Sequence, residues 1–420
     1  MEKITAIRGF KDILPRDAFL FWKIESMARQ VFDAFGFREI RVPIMEKTEL
    51  FQRSIGETTD IVEKEMYTFA DRDKELITLR PEATASVIRA YIEHNMSAAE
   101  SITKLFTIGP MFRRERPQKG RFRQFNQIDV ELFGEDKPQF DAEIIFMLMH
   151  FLTSCGLKNL DLEINSLGCP ACRPSFSKSV IDFLKGSEEH LCPDCRRRIH
   201  TNPLRVFDCK VETCAATIVK APAILDFLCS ECNDHFGQVK SLLRDLNITY
   251  NVNSRMVRGL DYYTRTAFEV KTNVLGAQNA VAGGGRYNGL VSYLGGPDVP
   301  GIGFAVGFER LISCLPEDGN HHFKTGVFIA ALGAKAQKMA FHLTHQLRVA
   351  GISAEMDYAD KSLKSQLKRA DKLNASFALI LGDKEIEEQQ AMLRNMQTKD
   401  QQAIPLNCLP ESILKIIKER

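Results

Sequence analysis

The sequence predicts an α+β fold, in which a large core on a mainly antiparallel sheet is followed by a small α/β domain. Three observations predict it. Strand-like and helix-like stretches mix through the first three-quarters of the chain without a regular βαβ rhythm, which is the order of an antiparallel core. The remaining residues alternate apolar strand segments with helical ones, the order of a largely parallel sheet. A chain of 420 residues, 44% apolar and 26% charged, has the length of two or three domains and the apolar content to fill them. The expected boundaries are 1–322 and 323–420, with Gly319-Asn320-His321-His322 as linker.

The elements follow in order. Apolar residues recur at Leu20, Ile24, Met27, Val31 and Phe35, and Gly36 stops that helix. A strand at 37–42 ends at Pro43, which cannot donate to a ladder. A strand at 76–79 leads to a helix at 83–94 with Glu82 at its mouth. Strands at 104–109 and 125–133 flank a polar loop, then come a helix at 140–154 and a strand at 159–165. Gly-rich stretches at 282–287 and 295–307 sit against β-like sequence. The C-terminal part reads as strands at 326–331, 352–356 and 377–381, with helices at 336–349, 363–373 and 412–418.

Charge narrows the function. Lys and Arg total 56 against 54 Asp and Glu, so the net charge is +2 and any nucleic-acid contact must come from local patches. No apolar run approaches the roughly 18 residues of a membrane span, and the first ten residues lack a signal segment. A cytoplasmic protein is expected.

The densest patch runs from Arg113 to Arg123, with six positive side chains and one negative. Pro117 and Gly120 make it a loop, and arginine forks there suit phosphate oxygens. Three further segments carry chemistry. Leu79-Arg80-Pro81-Glu82-Ala83-Thr84 puts a carboxylate and a hydroxyl at a helix start. Arg258-Gly259-Leu260-Asp261-Tyr262-Tyr263 gathers a guanidinium, a carboxylate and two phenols. Gly303-Phe304-Ala305-Val306-Gly307-Phe308-Glu309-Arg310 runs a Gly-rich strand into a helix. No Ser-His or Cys-His pair stands out, which fits phosphoryl chemistry done by positioning and charge.

Together these segments resemble the class II aminoacyl-tRNA synthetases, and among them the histidyl-tRNA synthetase family. Arg113 with Glu115 and the loop beyond resembles the second signature motif of the class. Gly307-Phe308-Glu309-Arg310 resembles the third, and residues 40–51 around Pro43 the first. Leu260-Asp261-Tyr262-Tyr263 and Ala282-Gly283-Gly284-Gly285-Arg286-Tyr287 resemble segments of the histidine-specific members. The resemblance implies a class II catalytic core with an inserted Cys-rich, largely helical subdomain at about 167–245, and a C-terminal anticodon-binding domain.

It also implies an activity: histidine is joined to AMP from ATP, releasing pyrophosphate, and is then passed to its tRNA. Arg113 and Arg258 would act on the α-phosphate, Arg258 serving as a fixed cation that also meets the histidine carboxylate. Arg121 and Arg310 would hold the γ-phosphate, Phe125 and Arg310 would sandwich adenine, and Glu115 would accept from its amino group. Glu82, Thr84 and Gln127 would hold the substrate ammonium, Glu131 and Tyr263 the imidazole, with Tyr262 beside them. Mg²⁺ is expected on the remaining phosphates. Ala83 stands where many members carry Gly, a change expected to be tolerated. The implied partners are a second copy of the chain and histidine tRNA. The tRNA would be met by the basic loop at Arg116, Gln118 and Lys119, and by Lys364, Lys368 and Arg369 on a C-terminal helix. A regulatory relative of the family binds histidine without charging RNA, and would lack the C-terminal domain and the ATP arginines. Both are present here.

Eight of the eleven cysteines form four close pairs: Cys169 and Cys172, Cys192 and Cys195, Cys209 and Cys214, Cys229 and Cys232. They can supply two Cys₄ zinc sites, and the first two pairs match a zinc-ribbon spacing. Partly buried thiols without metal are the alternative. The resemblance places the block in an insertion within the catalytic domain, a variable part of the family not tied to catalytic zinc.

Overall fold

The computed structural model describes residues 3–57, 59–116, 120–275, 279–316 and 325–418. Gln118, Lys119 and the expected linker lie outside them. The chain divides into two compact units, Met1–Glu317 and Asp318–Arg420.

Unit one is built on strands numbered in chain order: β1 (Arg38–Glu39), β2 (Met45–Lys47), β3 (Tyr67–Ala70), β4 (Leu76–Leu79), β5 (Thr103–Phe112), β6 (Gln124–Phe133), β7 (Leu160–Ser166), β8 (Asn251–Val252), β9 (Thr264–Thr272), β10 (Ala280–Arg286) and β11 (Gly301–Gly307). Eight of them form one sheet in the order β1-β5-β6-β11-β10-β9-β7-β8, and β2-β4-β3 form a small second sheet. In the large sheet only the two terminal pairings, β1 with β5 and β7 with β8, are parallel. The centre is antiparallel throughout, as the mixed element order predicts.

Alternation along β6 decides which face does what. Ile128, Val130 and Leu132 enter the main apolar core, with Phe32 from helix Pro15–Ala34, Phe151 from helix Pro138–Ser154 and Val239 from helix Ser230–Asp245. Gln127, Asp129 and Glu131 therefore point to the opposite face. The expected strand at 37–42 shrinks to Arg38–Glu39. Only Ile40 extends the pairing, its amide donating to the Phe106 carbonyl at 2.8 Å, before the chain departs toward Pro43.

Between β7 and β9 the chain makes a largely helical excursion with its own small core of Phe176, Val180, Leu184, Ile199 and Val206.

Unit two contains β12 (Val327–Ala331), β13 (Ala354–Met356), β14 (Phe377–Leu381), β15 (Gln390–Asn395) and β16 (Gln401–Pro405), in the order β13-β12-β14-β15-β16. The first three are parallel as expected, but β15 and β16, two strands the sequence reading did not include, add antiparallel pairings, so the sheet is half parallel rather than largely so. The edge strand β16 is mostly exposed and buries only Ile404, while β15 buries Ala391 and Leu393 within a short segment flanked by polar residues, so neither gives a long apolar strand signal. Helices Ala334–Val349, Leu363–Lys372 and Leu409–Lys418 accompany the sheet. Among the described residues no helix is long and apolar enough to cross a membrane.

Candidate active site

A cleft of about 310 Å³ opens on the polar face of the large sheet. Every residue nominated for histidine or ATP lines it: Glu82, Thr84, Arg113, Glu115, Arg121, Phe125, Gln127, Glu131, Arg258, Tyr262, Tyr263 and Arg310. They come from a helix start, β6, the loop before it, the 258–263 loop and the helix after β11. The fold thus joins segments nearly 230 positions apart (82 to 310).

One end of the cleft is acidic and walled by phenols. Glu82 caps helix Thr84–Glu93, its carboxylate accepting from the Thr84 amide at 2.8 Å and the Ala85 amide at 3.0 Å. Ala83, before that helix, has φ −102°, which any residue adopts, so the backbone there does not require Gly. The Thr84 hydroxyl donates to Glu131 Oε1 at 2.6 Å, and the Tyr287 hydroxyl donates to Oε2. Gly303 faces this carboxylate across the ladder, where a Cβ would collide with Glu131 itself. Burial pushes the Glu131 carboxyl well above its usual range and also raises Glu82. Asp129 is pushed up to about 8, by burial first and then by the Glu82 charge, against the pull of Arg80 and Arg113. Burial likewise raises the phenols of Tyr262, Tyr263 and Tyr287. Three buried carboxyl groups, each raised by burial, are matched to a cationic ligand, which would favour their ionised forms.

The other end is cationic. Arg113 lies over the Phe125 ring at 5.3 Å and its Nε donates to the Pro81 carbonyl at 2.8 Å. Arg121 pairs with Glu115 at 2.7 Å, so two residues expected to hold ATP hold each other here. Arg310 donates to the Ala280 carbonyl at 2.6 Å. Arg258 pairs with Glu269 at 2.7 Å and lies 5.8 Å from the Tyr263 ring centroid. Gln127 Oε1, Asp129 Oδ2 and Arg258 Nε are buried without a hydrogen-bond partner. Orphaned polar atoms in a cleft mark places where a polar ligand completes the bonding.

Sequence reasoning missed Asp129, Glu269 and Tyr287 as site residues. Asp129 was readable: it sits midway between Gln127 and Glu131 on a strand, hence on the same face. Glu269 on β9 gives no such signal before the pairing of β9 with β10 is known. Arg286, from the same Gly-rich segment as Tyr287, turns away from the cleft. It is buried against Asp141, at 2.6 Å, and serves the fold.

Comparison with known proteins agrees with this geometry. The family profile described as Histidyl-tRNA synthetase matches residues 9–170 and 204–311, and that of an anticodon binding domain matches 326–416. Histidine–tRNA ligase of Desulfosudis oleivorans is 55% identical over 99% of both chains. The chain belongs to the histidyl-tRNA synthetase family. A family relative in Geobacter sulfurreducens, also a histidine–tRNA ligase, is 53% identical over 98% of both chains. The crystal structure of apo S. aureus histidyl-tRNA synthetase superposes with a TM-score of 0.82 at 39% identity, covering 98% of this chain and all of that one. The histidyl-tRNA synthetase profile leaves 171–203 unmatched, within the Cys-rich excursion.

The eight clustered thiols form two groups, but not in the expected pairing. Cys169 and Cys172 join Cys229 and Cys232, while Cys192 and Cys195 join Cys209 and Cys214. The zinc-ribbon reading of the first two pairs is thereby corrected: the sets are nested, one at the base of the insertion and one inside it. His190, His200 and His235 belong to neither group. In unit two Lys364 and Lys368 are exposed, Arg369 is paired with Asp357 at 3.3 Å, and in unit one Arg116 is exposed.

Proposed function

We propose that the protein activates L-histidine with ATP, forming histidyl-adenylate and pyrophosphate, and then transfers histidine to the 3′-terminal adenosine of its tRNA. The observation that carries this is one cleft with an acidic, phenol-walled end adjoining an arginine-lined end. Glu82, Gln127 and Asp129 would meet the ammonium, Glu131 and Tyr263 the two imidazole nitrogens, with Thr84 and Tyr287 fixing Glu131. A pocket that pairs both ring nitrogens rejects amino acids lacking them by about 10⁴–10⁵, because its buried groups are left unpaired.

Activation is in-line attack by the histidine carboxylate on the α-phosphorus, with pyrophosphate leaving. Arg113 and Arg258 supply fixed positive charge where negative charge accumulates, a stabilisation that acts without reorganisation. Arg121, Arg310 and Phe125 orient the nucleotide, and Glu115 recognises adenine after exchanging Arg121 for the base. Mg²⁺ would come with the triphosphate and offset its charge, and Glu269 and Glu309 are cleft-lining carboxylates that would help to hold it.

The two units would then be a catalytic domain and an anticodon-binding domain. The basic segment with Arg116, Gln118 and Lys119 would meet the acceptor end, and Lys364, Lys368 and Arg369 the anticodon stem. A homodimer fits the apolar side chains that the small sheet region leaves in solvent, Ile44, Met45, Phe69 and Leu76. The eight thiols are read as two structural Zn²⁺ sites, and the location as cytoplasmic. The decisive test is ATP–pyrophosphate exchange with each of the twenty amino acids. Exchange with histidine alone is expected; histidine binding without exchange would make the protein a histidine sensor instead.

A further inference from the structure

The nested thiol groups have the metrics of tetrahedral metal sites. All four sulfurs of each group lie within 4.8 Å of one another, with Sγ–Sγ separations of 3.6 Å for Cys169–Cys172 and 3.9 Å for both Cys169–Cys229 and Cys192–Cys209. A tetrahedron with Zn–S arms of about 2.3 Å has edges of about 3.8 Å. Each group also carries a backbone amide aimed at a sulfur of the opposite pair: Cys229 N–H donates to Cys172 Sγ at 3.2 Å, and Cys192 N–H to Cys214 Sγ at 3.1 Å. Such donors stabilise thiolate ligands.

Residues beside the two groups reach the loop 258–263. Arg205, between Cys195 and Cys209, donates to the Arg258 carbonyl at 3.0 Å and to the Gly259 carbonyl at 2.5 Å, and pairs with Asp261 at 3.1 Å. Asn202 donates to Asp261 at 3.0 Å. Arg173, next to Cys172, donates to the Tyr263 carbonyl. The loop therefore has the active-site cleft on one side and the insertion on the other, with only about 60 Å³ of open space between loop and insertion.

We propose that the two Cys₄ groups are zinc clamps that press Arg205 and Arg173 onto the backbone of the histidine loop, so that losing the inner metal loosens histidine binding while sparing ATP. This rests on the zinc and histidine readings above, and its positioning residue is Arg205.

Metal analysis of the full-length protein should find about two zinc ions per chain. Fewer than about one, with all eight thiols reactive or oxidised to disulfides, overturns the clamps. Arg205→Met should keep the zinc, raise KM for histidine in pyrophosphate exchange about tenfold, and leave KM for ATP within about twofold. Arg205→Lys should recover part of the loss. Cys209→Ser should lose one zinc and show the same KM shift, and combining it with Arg205→Met should add little, as expected of residues acting through one contact. Amide hydrogen exchange of residues 258–263 should quicken in each variant. Unchanged histidine KM and unchanged loop exchange in Arg205→Met, with zinc bound, overturn the coupling. If wild-type protein binds zinc and protects the loop but shows no histidine-dependent exchange, the catalytic reading fails while the clamp stands.

Discussion

Arg258 is gripped by Glu269 at 2.7 Å, and its own carbonyl is held by Arg205. A guanidinium fixed in this way would contribute charge at the α-phosphate of the proposed reaction with no reorganisation as that charge develops. Arg258→Ala is expected to lower kcat for pyrophosphate exchange by about 10²–10³ while changing ATP affinity little, measured by exchange kinetics beside equilibrium ATP binding. Equal losses in both would place the residue in ground-state binding. Asp129 makes a prediction of a different kind. Folded, its carboxyl keeps its proton up to about 8, against 3.8 for the ordinary group. Between those values the unfolded chain has released the proton and the free folded protein has not, so Asp129 favours folding at low pH and that contribution is lost as pH rises to about 8. Asp129→Asn should therefore melt above wild type by a margin that widens from pH 5 to 8, as read by thermal melts across pH. Histidine's ammonium, placed there as proposed, would reverse the preference, so binding at pH 7 should release protons in wild type and fewer in Asp129→Asn, as calorimetry in buffers of different ionisation heat would record.

The strand β10 shows how much one element can depend on missing side chains. A Cβ at Gly283 would press on the Arg258 guanidinium and push it from its place beside Glu269, whereas a Cβ at Gly284 would strike backbone, the Gly303 carbonyl and Phe304 Cα. Gly283→Ala should fold normally yet lose activation rate, and Gly284→Ala should cost about 1–3 kcal/mol of stability, measured by denaturant melts beside exchange assays. Reversed outcomes would mean that the run is there for flexibility instead. The same element marks the limit of sequence reading. The Gly-rich stretch was visible, and so were the arginine loop, the 258–263 segment and the helix start at Glu82, because each concentrates unusual residues in a few positions. Roles settled by pairing were not. Tyr287 enters the cleft and Arg286 leaves it because β10 alternates, and Glu269 reaches Arg258 only because β9 lies beside β10. The thiols teach the same lesson: local spacing favoured joining neighbouring pairs, and the helical path of the insertion instead brought Cys169 to Cys229, 60 positions away.

At the scale of the whole molecule, a net charge of +2 leaves no general attraction for a polyanion. RNA must then be drawn by small basic patches, and each contact should show in the salt dependence. The helix Leu363–Lys372 offers Lys364 and Lys368 to solvent, while Arg369 is already neutralised by Asp357. Replacing both lysines by glutamine removes two charges in a unit whose sheet and core they do not touch. Histidine-dependent pyrophosphate exchange should be unchanged, because it requires no RNA. The KM for tRNA in the charging reaction should rise by about tenfold, and the slope of its logarithm against log salt should fall by about 1–2, one increment for each lost phosphate contact. A higher KM with an unchanged slope would mean that the lysines shape the helix instead of meeting phosphate. Unchanged values of both would move the RNA contact to another face of unit two.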